Sequence, residues 1–295
     1  MSRRAAVLVL ASAMAAARVQ AQQKVLVGHA ATSTVSVRLY ASVGDLHVIG
    51  WDRDSVEMAG TVPMGARVEM SGGPPAERSR GLKMFVETLS EQSGREGRLV
   101  LRVPRGARVW LKTGSADIDV AGVTGGLDLN VVGGSITVHG SPRELRAESM
   151  DGAVVVDGAP EWMRVKTATG DIVLHGGQDI GASTISGSIR SSGGEVERVK
   201  FESTTGGVAL SSTLARAASV ELETHSGAID VELTSRAEVD VDAATMTGVI
   251  ENRWGRVRPS AGREGRGMTL TSASGGAGGH VLIRTFKGTI RLLAR

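Results

Sequence analysis

Residues Val165–Gly176 read VKTATGDIVLHG: a short strand-like run, a glycine, a second strand-like run and a closing glycine. Close variants of this phrase recur along the chain, and a fixed repeat decides an architecture before any single residue does. Each copy can be anchored on the apolar residue two places after the inner glycine. The anchors are then Ile118, Ile136, Val154, Ile172, Ile189, Val208, Ile229, Ile250 and Ile290. The spacing stays near 18 residues, drifts to 21 and stretches to 40 before Ile290.

The other columns of the repeat say what it builds. Nine places before the anchor stand Val109, Leu127, Leu145, Met163, Ile180, Val199, Val220, Val241 and Val281. Seven places before it stand Leu111, Leu129, Ala147, Val165, Ala182, Phe201, Leu222, Ala243 and Ile283. All are apolar, and the residues between them are mostly polar, as at Arg146, Arg164, Lys200 and Glu221. Two places after the anchor the residue is again apolar, except at Ser191 and Asn252. Each copy is therefore two period-2 strands, each with one face buried.

Two further columns mark the corner between the strands. Gly134, Gly152, Gly170, Gly187, Gly206, Gly227, Gly248 and Gly288 stand two places before their anchors, with Ala116 as the exception. A glycine fixed between two strands is expected to supply a positive-φ turn. Five places before the anchor, Thr113, Ser149, Thr167, Thr184, Ser203, Thr224, Thr245 and Thr285 carry hydroxyls and Val131 does not. Stacked rungs about 4.8 Å apart would let these hydroxyls form a ladder.

The expected fold is all-β: a parallel β-solenoid, or β-helix, with rungs of about 18 residues whose apolar faces are buried by stacking. Hairpins turning at Asp151-Gly152, Thr169-Gly170 or Ser226-Gly227 are the competing geometry. They would leave a long apolar sheet face with no amphipathic helix to cover it. Val37–Gly50 (VRLYASVGDLHVIG) fits the same template, with Leu46 as anchor and Gly44 at the turn. Residues 24–105 read as an irregular N-terminal β cap continuous with the solenoid, and residues 106–295 as the repeat array. Residues 253–267 form an insertion rich in arginine, with Arg253, Arg256, Arg258, Arg263 and Arg266 against Glu264. That insertion reads as a solvated loop or as an anion-binding one.

The chain opens with Arg3 and Arg4, an apolar small-residue run over Ala5–Ala17 and Val19-Gln20-Ala21, the pattern of a secretory signal peptide over residues 1–21. Its loss removes Arg3, Arg4 and Arg18, which brings the 34 basic residues to parity with the 31 acidic ones. Such a chain lacks the overall basic excess of a nucleic-acid binder. With no cysteine, thiol nucleophiles, thiolate metal sites and disulfides are excluded. No later run is long and apolar enough to span a membrane.

Three stretches carry a resemblance: VGDLHVIGWDRDSVEMAG near the start, LVLRVPRGARVWLKTGSADIDVAGVTGGL in the middle and HVLIRTFKGTIRLL at the end. Over residues 35–295 the chain resembles the bacterial "putative adhesin" domain family of unknown function. The resemblance implies an exported, repetitive all-β protein, and it brings no catalytic residues to carry over.

The residues themselves offer little chemistry. Asp117 and Asp119 share one rung, and Asp128, Asp151 and Asp171 lie near corners. Glycoside cleavage needs two carboxyls roughly 5–9.5 Å apart beside a sugar cleft, and the sequence shows no sign of a cleft. His139 and His175 share a column two rungs apart, about 9–10 Å, too far to hold one metal. No Gly-x-Ser-x-Gly elbow and no calcium-binding nonapeptide occur. The expectation is a non-enzymatic envelope or cell-surface binding or scaffolding protein, located in the periplasm, at the surface or in the medium. It needs no cofactor or metal, and its partner is an envelope polysaccharide or protein rather than nucleic acid. A polysaccharide lyase or hydrolase using Asp117 and Asp119 is the alternative.

Overall fold

Alternating apolar residues extend the chain, and pairing along the apolar columns decides which strands meet. A computed structural model describes residues 22–294 apart from 43, 75–76, 88–96, 234–238, 263–264 and 274–277. The expected signal segment lies outside the described residues. Among those described there is no α-helix, and the strands join into one large sheet with both parallel and antiparallel pairs.

Two long parallel ladders dominate. In the first, Leu127 pairs with Leu145, Leu145 with Met163, Met163 with Ile180 and Ile180 with Val199. In the second, Ile118, Ile136, Val154, Ile172, Ile189, Val208 and Ile229 pair in that order. The period read from the sequence is thus the offset between paired strands. Ile136, Val154, Ile172, Ile189, Ile229 and Ile290 are fully buried, as is Phe201. Each buried aliphatic or aromatic side chain contributes about 1.5–3 kcal/mol relative to exposure, so register is held wherever the columns coincide.

At both ends, neighbour order departs from chain order. Leu46 lies between Leu99 and Ile118, and Val37 between Leu82 and Val109. At the other end Ile290 lies between Ile229 and Ile250, and Val281 between Val220 and Val241. The last strands in sequence are therefore not the last in space. Antiparallel strands finish the ends. Arg67–Ser71 pairs with Ser79–Glu87, and Gln22–Ala30 with Ser55–Pro63. Met268–Ser272 pairs with Asp240–Thr245. Edge strands that are paired in this way do not invite further chains.

The corner glycines behave differently from expectation. Of Gly44, Gly134, Gly152, Gly170, Gly187, Gly206, Gly227, Gly248 and Gly288, only Gly44 and Gly134 have positive φ, at 54° and 145°. The others are glycine because they stack. A Cβ at Gly152 would lie 1.8 Å from the Gly134 carbonyl oxygen, one at Gly170 2.0 Å from that of Gly152, and one at Gly206 1.6 Å from that of Gly187. The series ends with Gly288 on Gly227 and Gly248 on Gly288, repeating the order of the strands. Positive φ falls instead on the closing glycines of the phrase, as at Gly122, Gly140, Gly158 and Gly176.

The hydroxyl column is buried, yet it is chiefly a set of corner clasps rather than a ladder. Gly152 N–H donates to Ser149 Oγ at 2.9 Å, Gly206 N–H to Ser203 Oγ at 2.9 Å and Gly227 N–H to Thr224 Oγ1 at 2.9 Å. Within this column only Thr167 and Thr184, 3.0 Å apart, bond hydroxyl to hydroxyl among the described residues. Where Ala116 replaces the glycine, the Thr113 hydroxyl is buried with no partner.

Candidate functional site

Side chains that alternate with the core columns point outward, and on the first ladder they gather the aromatics. The chain has four Trp, three Phe and one Tyr. Tyr40, Phe85, Trp110 and Trp162 stand on this single outer face, at positions that flank buried residues on their strands. The Tyr40 and Phe85 rings stack at 5.0 Å, and Trp110 tilts against Tyr40 at 4.8 Å. Lys83 Nζ lies 4.7 Å from the Phe85 ring centre. Trp162 holds the Arg164 and Arg146 guanidinium groups at 4.5 and 5.6 Å. Aromatic and cation–π contacts of this kind fix the rings in place.

Between Trp110 and Trp162 lies a cavity of about 560 Å³. Trp110 is one wall and Trp162 the other, two strands separating theirs. Gly126 leaves the floor without a side chain, with Arg108 and Glu144 on either side in the same row. Asp128 and Arg146 sit in the adjoining row, 3.7 Å apart, and Asn130 Nδ2 donates to Asp128 Oδ1 at 2.7 Å. No sign of this cavity was read from the sequence. The missed signal was Trp110 in a column that is charged at Asp128, Arg146, Arg164, Lys200, Glu221 and Asp242 and otherwise holds Gly181 and Leu282.

The residues singled out from the sequence take other places. Asp117 accepts hydrogen bonds from the backbone N–H and hydroxyl of Ser135, both at 2.7 Å. Asp171 does the same for Ser188, at 2.7 and 2.8 Å. The Ser188 backbone bond, above all, holds the Asp171 carboxyl below the usual carboxylate range. These aspartates brace corners, as turn aspartates do. Asp119 pairs across the ladder with Thr137 and His47. His139 and His175 are separated by Asp157, whose Oδ2 lies 3.7 Å from His139 Nδ1, while His175 Nδ1 meets Ser192 Oγ at 2.9 Å. Among the described residues, no group of three His, Asp or Glu could hold a metal.

Two of the motif stretches touch each other. Arg105 Nε donates to Asp52 Oδ1 at 2.7 Å, and the Arg105 backbone N–H to the Trp51 carbonyl at 3.1 Å. Trp51 Nε1 donates to the Ser55 carbonyl at 2.8 Å, so the Gly50-Trp51-Asp52 and Val103-Pro104-Arg105-Gly106 stretches tie the ends of the paired strands Asp45–Trp51 and Arg98–Pro104 together. In the arginine-rich insertion Arg253, Arg256, Arg258 and Arg266 are exposed, and Arg263 lies outside the described residues. Asn252 shapes the loop, donating to the Val257 carbonyl at 2.8 Å and accepting from Trp254 N–H at 3.0 Å.

Comparison with known proteins follows this geometry. Residues 76–275 match the family described as Toastrack DUF4097. A "putative adhesin" from Parabacteroides distasonis is 14% identical with a TM-score of 0.46, over 92% of this chain and 97% of that one. A "putative lipid binding protein" from the same organism is 14% identical with a TM-score of 0.42, over 92% and 96%. A "putative adhesin" from Bacteroides fragilis is 10% identical with a TM-score of 0.39, over 93% and 99%. No curated protein matches the chain.

Proposed function

The chain belongs to the Toastrack DUF4097 family, and from that premise we propose that it is an exported, non-enzymatic envelope protein whose outer sheet face binds polysaccharide. In this reading the two ladders are the sides of a parallel β-solenoid with rungs of about 18 residues, residues 24–105 cap it, and residues 1–21 direct export. The observation that carries the binding role is the cavity of about 560 Å³ between Trp110 and Trp162, with Tyr40 and Phe85 packed in series beside Trp110 on the same face. A fixed indole beside polar groups is the kind of surface on which sugar rings stack. No helix among the described residues is long and apolar enough to cross a membrane.

A hydrolase or lyase would need a carboxylate free to move a proton. Of the carboxylates lining the cavity, Asp128 is engaged by Arg146 and Asn130, which leaves Glu144 without the second free carboxylate that glycoside hydrolysis requires. Binding without turnover is the reading this favours. The exposed arginines of 253–267 supply a second contact surface for anionic envelope components.

Glycan-array binding and pull-down from envelope extract, with the wild type beside Trp110→Ala, test the proposal. Retention of a polysaccharide by the wild type and its loss in the variant are expected. No retained glycan, or release of reducing or unsaturated sugar ends from a bound one, would overturn it.

A further inference from the structure

We propose that the ligand of this face is an acidic glycan, with one sugar ring seated on Trp110 and its carboxylates held by Arg38, Arg108 and Lys112. The inference rests on the polysaccharide-binding reading and narrows it to a chemical class.

The placement of charge around Trp110 carries it. On its own strand, Arg108 and Lys112 are the next residues on the same face, each about 7 Å away. Across the ladder, Arg38 is its direct partner on one side, about 5 Å away, and Lys83 is the direct partner of Arg38. Arg38, Lys83, Arg108 and Lys112 are all exposed. None of these four cations has an ion-pair partner among the described residues, although neighbouring charges on the same face do. Arg146 meets Asp128, and Arg164 meets Asp179 at 2.7 Å. Asp128 faces Trp110 on its other side but is taken up by Arg146 and Asn130, so Arg38, Arg108 and Lys112 are left to meet an anion at the indole.

The neighbours also decide which ring receives the ligand. Trp162 has Arg164 and Arg146 against its ring, and Tyr40 is held between Phe85 and Trp110. Trp110 lines the cavity and contacts another aromatic ring only at Tyr40 among the described residues. A sugar presents C–H groups on its ring face and a carboxylate at its rim. The first packs on the indole while the second reaches guanidinium groups, which bind carboxylates by charge-assisted hydrogen bonds. Gly126 leaves room for the next sugar of the polymer, and Glu144 bounds that space. An aromatic ringed by cations also suits single-stranded nucleic acid. Against nucleic acid stands the parity of basic and acidic residues beyond the expected signal segment, which lacks a nucleic-acid binder's basic excess.

Titration calorimetry on the mature full-length chain tests this with three probes: hexagalacturonate, neutral cellohexaose and a thymidine hexanucleotide. Hexagalacturonate is expected to bind best, with affinity falling at least about fivefold between 50 and 300 mM NaCl as the charges are screened. Arg38→Gln with Arg108→Gln is expected to remove that preference and its salt dependence. Trp110→Ala is expected to abolish binding with unchanged circular dichroism and a melting temperature within about 5 °C of the wild type, reflecting the loss of its ring contact with Tyr40. Equal binding of cellohexaose would overturn the acidic class while leaving polysaccharide binding standing. Binding of neither glycan while the array retains another polysaccharide would likewise overturn it. Tighter binding of the hexanucleotide would overturn both, as would no glycan in either experiment.

Discussion

A single methyl group measures how tightly the corners are built. A Cβ at Gly206 would fall 1.6 Å from the Gly187 carbonyl oxygen, a contact relieved only by separating the paired strands. Gly206→Ala is therefore expected to cost about 3 kcal/mol or more, a fall of roughly 6–12 °C in melting temperature for a chain of this size. The opposite sign is expected at Ser191. Its hydroxyl is buried with no partner, in a column where Leu174 and Leu210 are its cross-strand neighbours. Removing an unsatisfied buried hydroxyl gains about 1 kcal/mol, so Ser191→Ala should melt roughly 2–4 °C higher. Protonation is the third lever. Asp171 is held below the usual carboxylate range by Ser188, and Asp242 by its hydrogen bond from Arg284. A lowered folded-state value stabilises fully above the unfolded value of about 3.9 and is lost as pH falls through the folded value. Melting of the wild type should decline on acidification below about pH 5, and that of Asp171→Asn should decline less. At this scale the sequence marked where glycine and hydroxyl were needed. It did not give the reason, because a positive φ and a close carbonyl leave the same letter.

Strand identity was legible from period-2 columns, and the 18-residue offset between partners was legible from the anchors. Neighbour order at the ends was not. Leu46 and Ile290 fit the template as well as any internal anchor, so their columns carry no mark of the strands they separate. The consequence is an interlock. Val281, Ile283, Ile290 and Leu292 are buried between strands from earlier in the chain. Ending the chain at Gly279 should expose the Val220 and Ile229 strands and detach the Val241 and Ile250 strands together. The expected result is a melting temperature more than about 10 °C lower, since each lost buried side chain removes about 1.5–3 kcal/mol. Limited proteolysis should then cut first within 240–272. A truncated chain that melts like the wild type would show that the last strands add nothing to the stack.

Across the whole molecule, recurrent residues and binding residues separate cleanly. The phrase VKTATGDIVLHG is spent on core, clasp and corner, while the cavity is made by outward positions that differ from one copy to the next. That face escaped the sequence reading because a tryptophan in a mostly charged column looks like scatter until the strands of Tyr40 and Phe85, distant in sequence, are laid beside it. The same separation lets stability and binding be measured apart. The most direct test is calorimetric titration of Trp110→Ala with the acidic hexasaccharide, beside its thermal melt. The expected result is a cooperative melt within about 5 °C of the wild type with binding lost. Binding at wild-type affinity by a folded Trp110→Ala chain would contradict it.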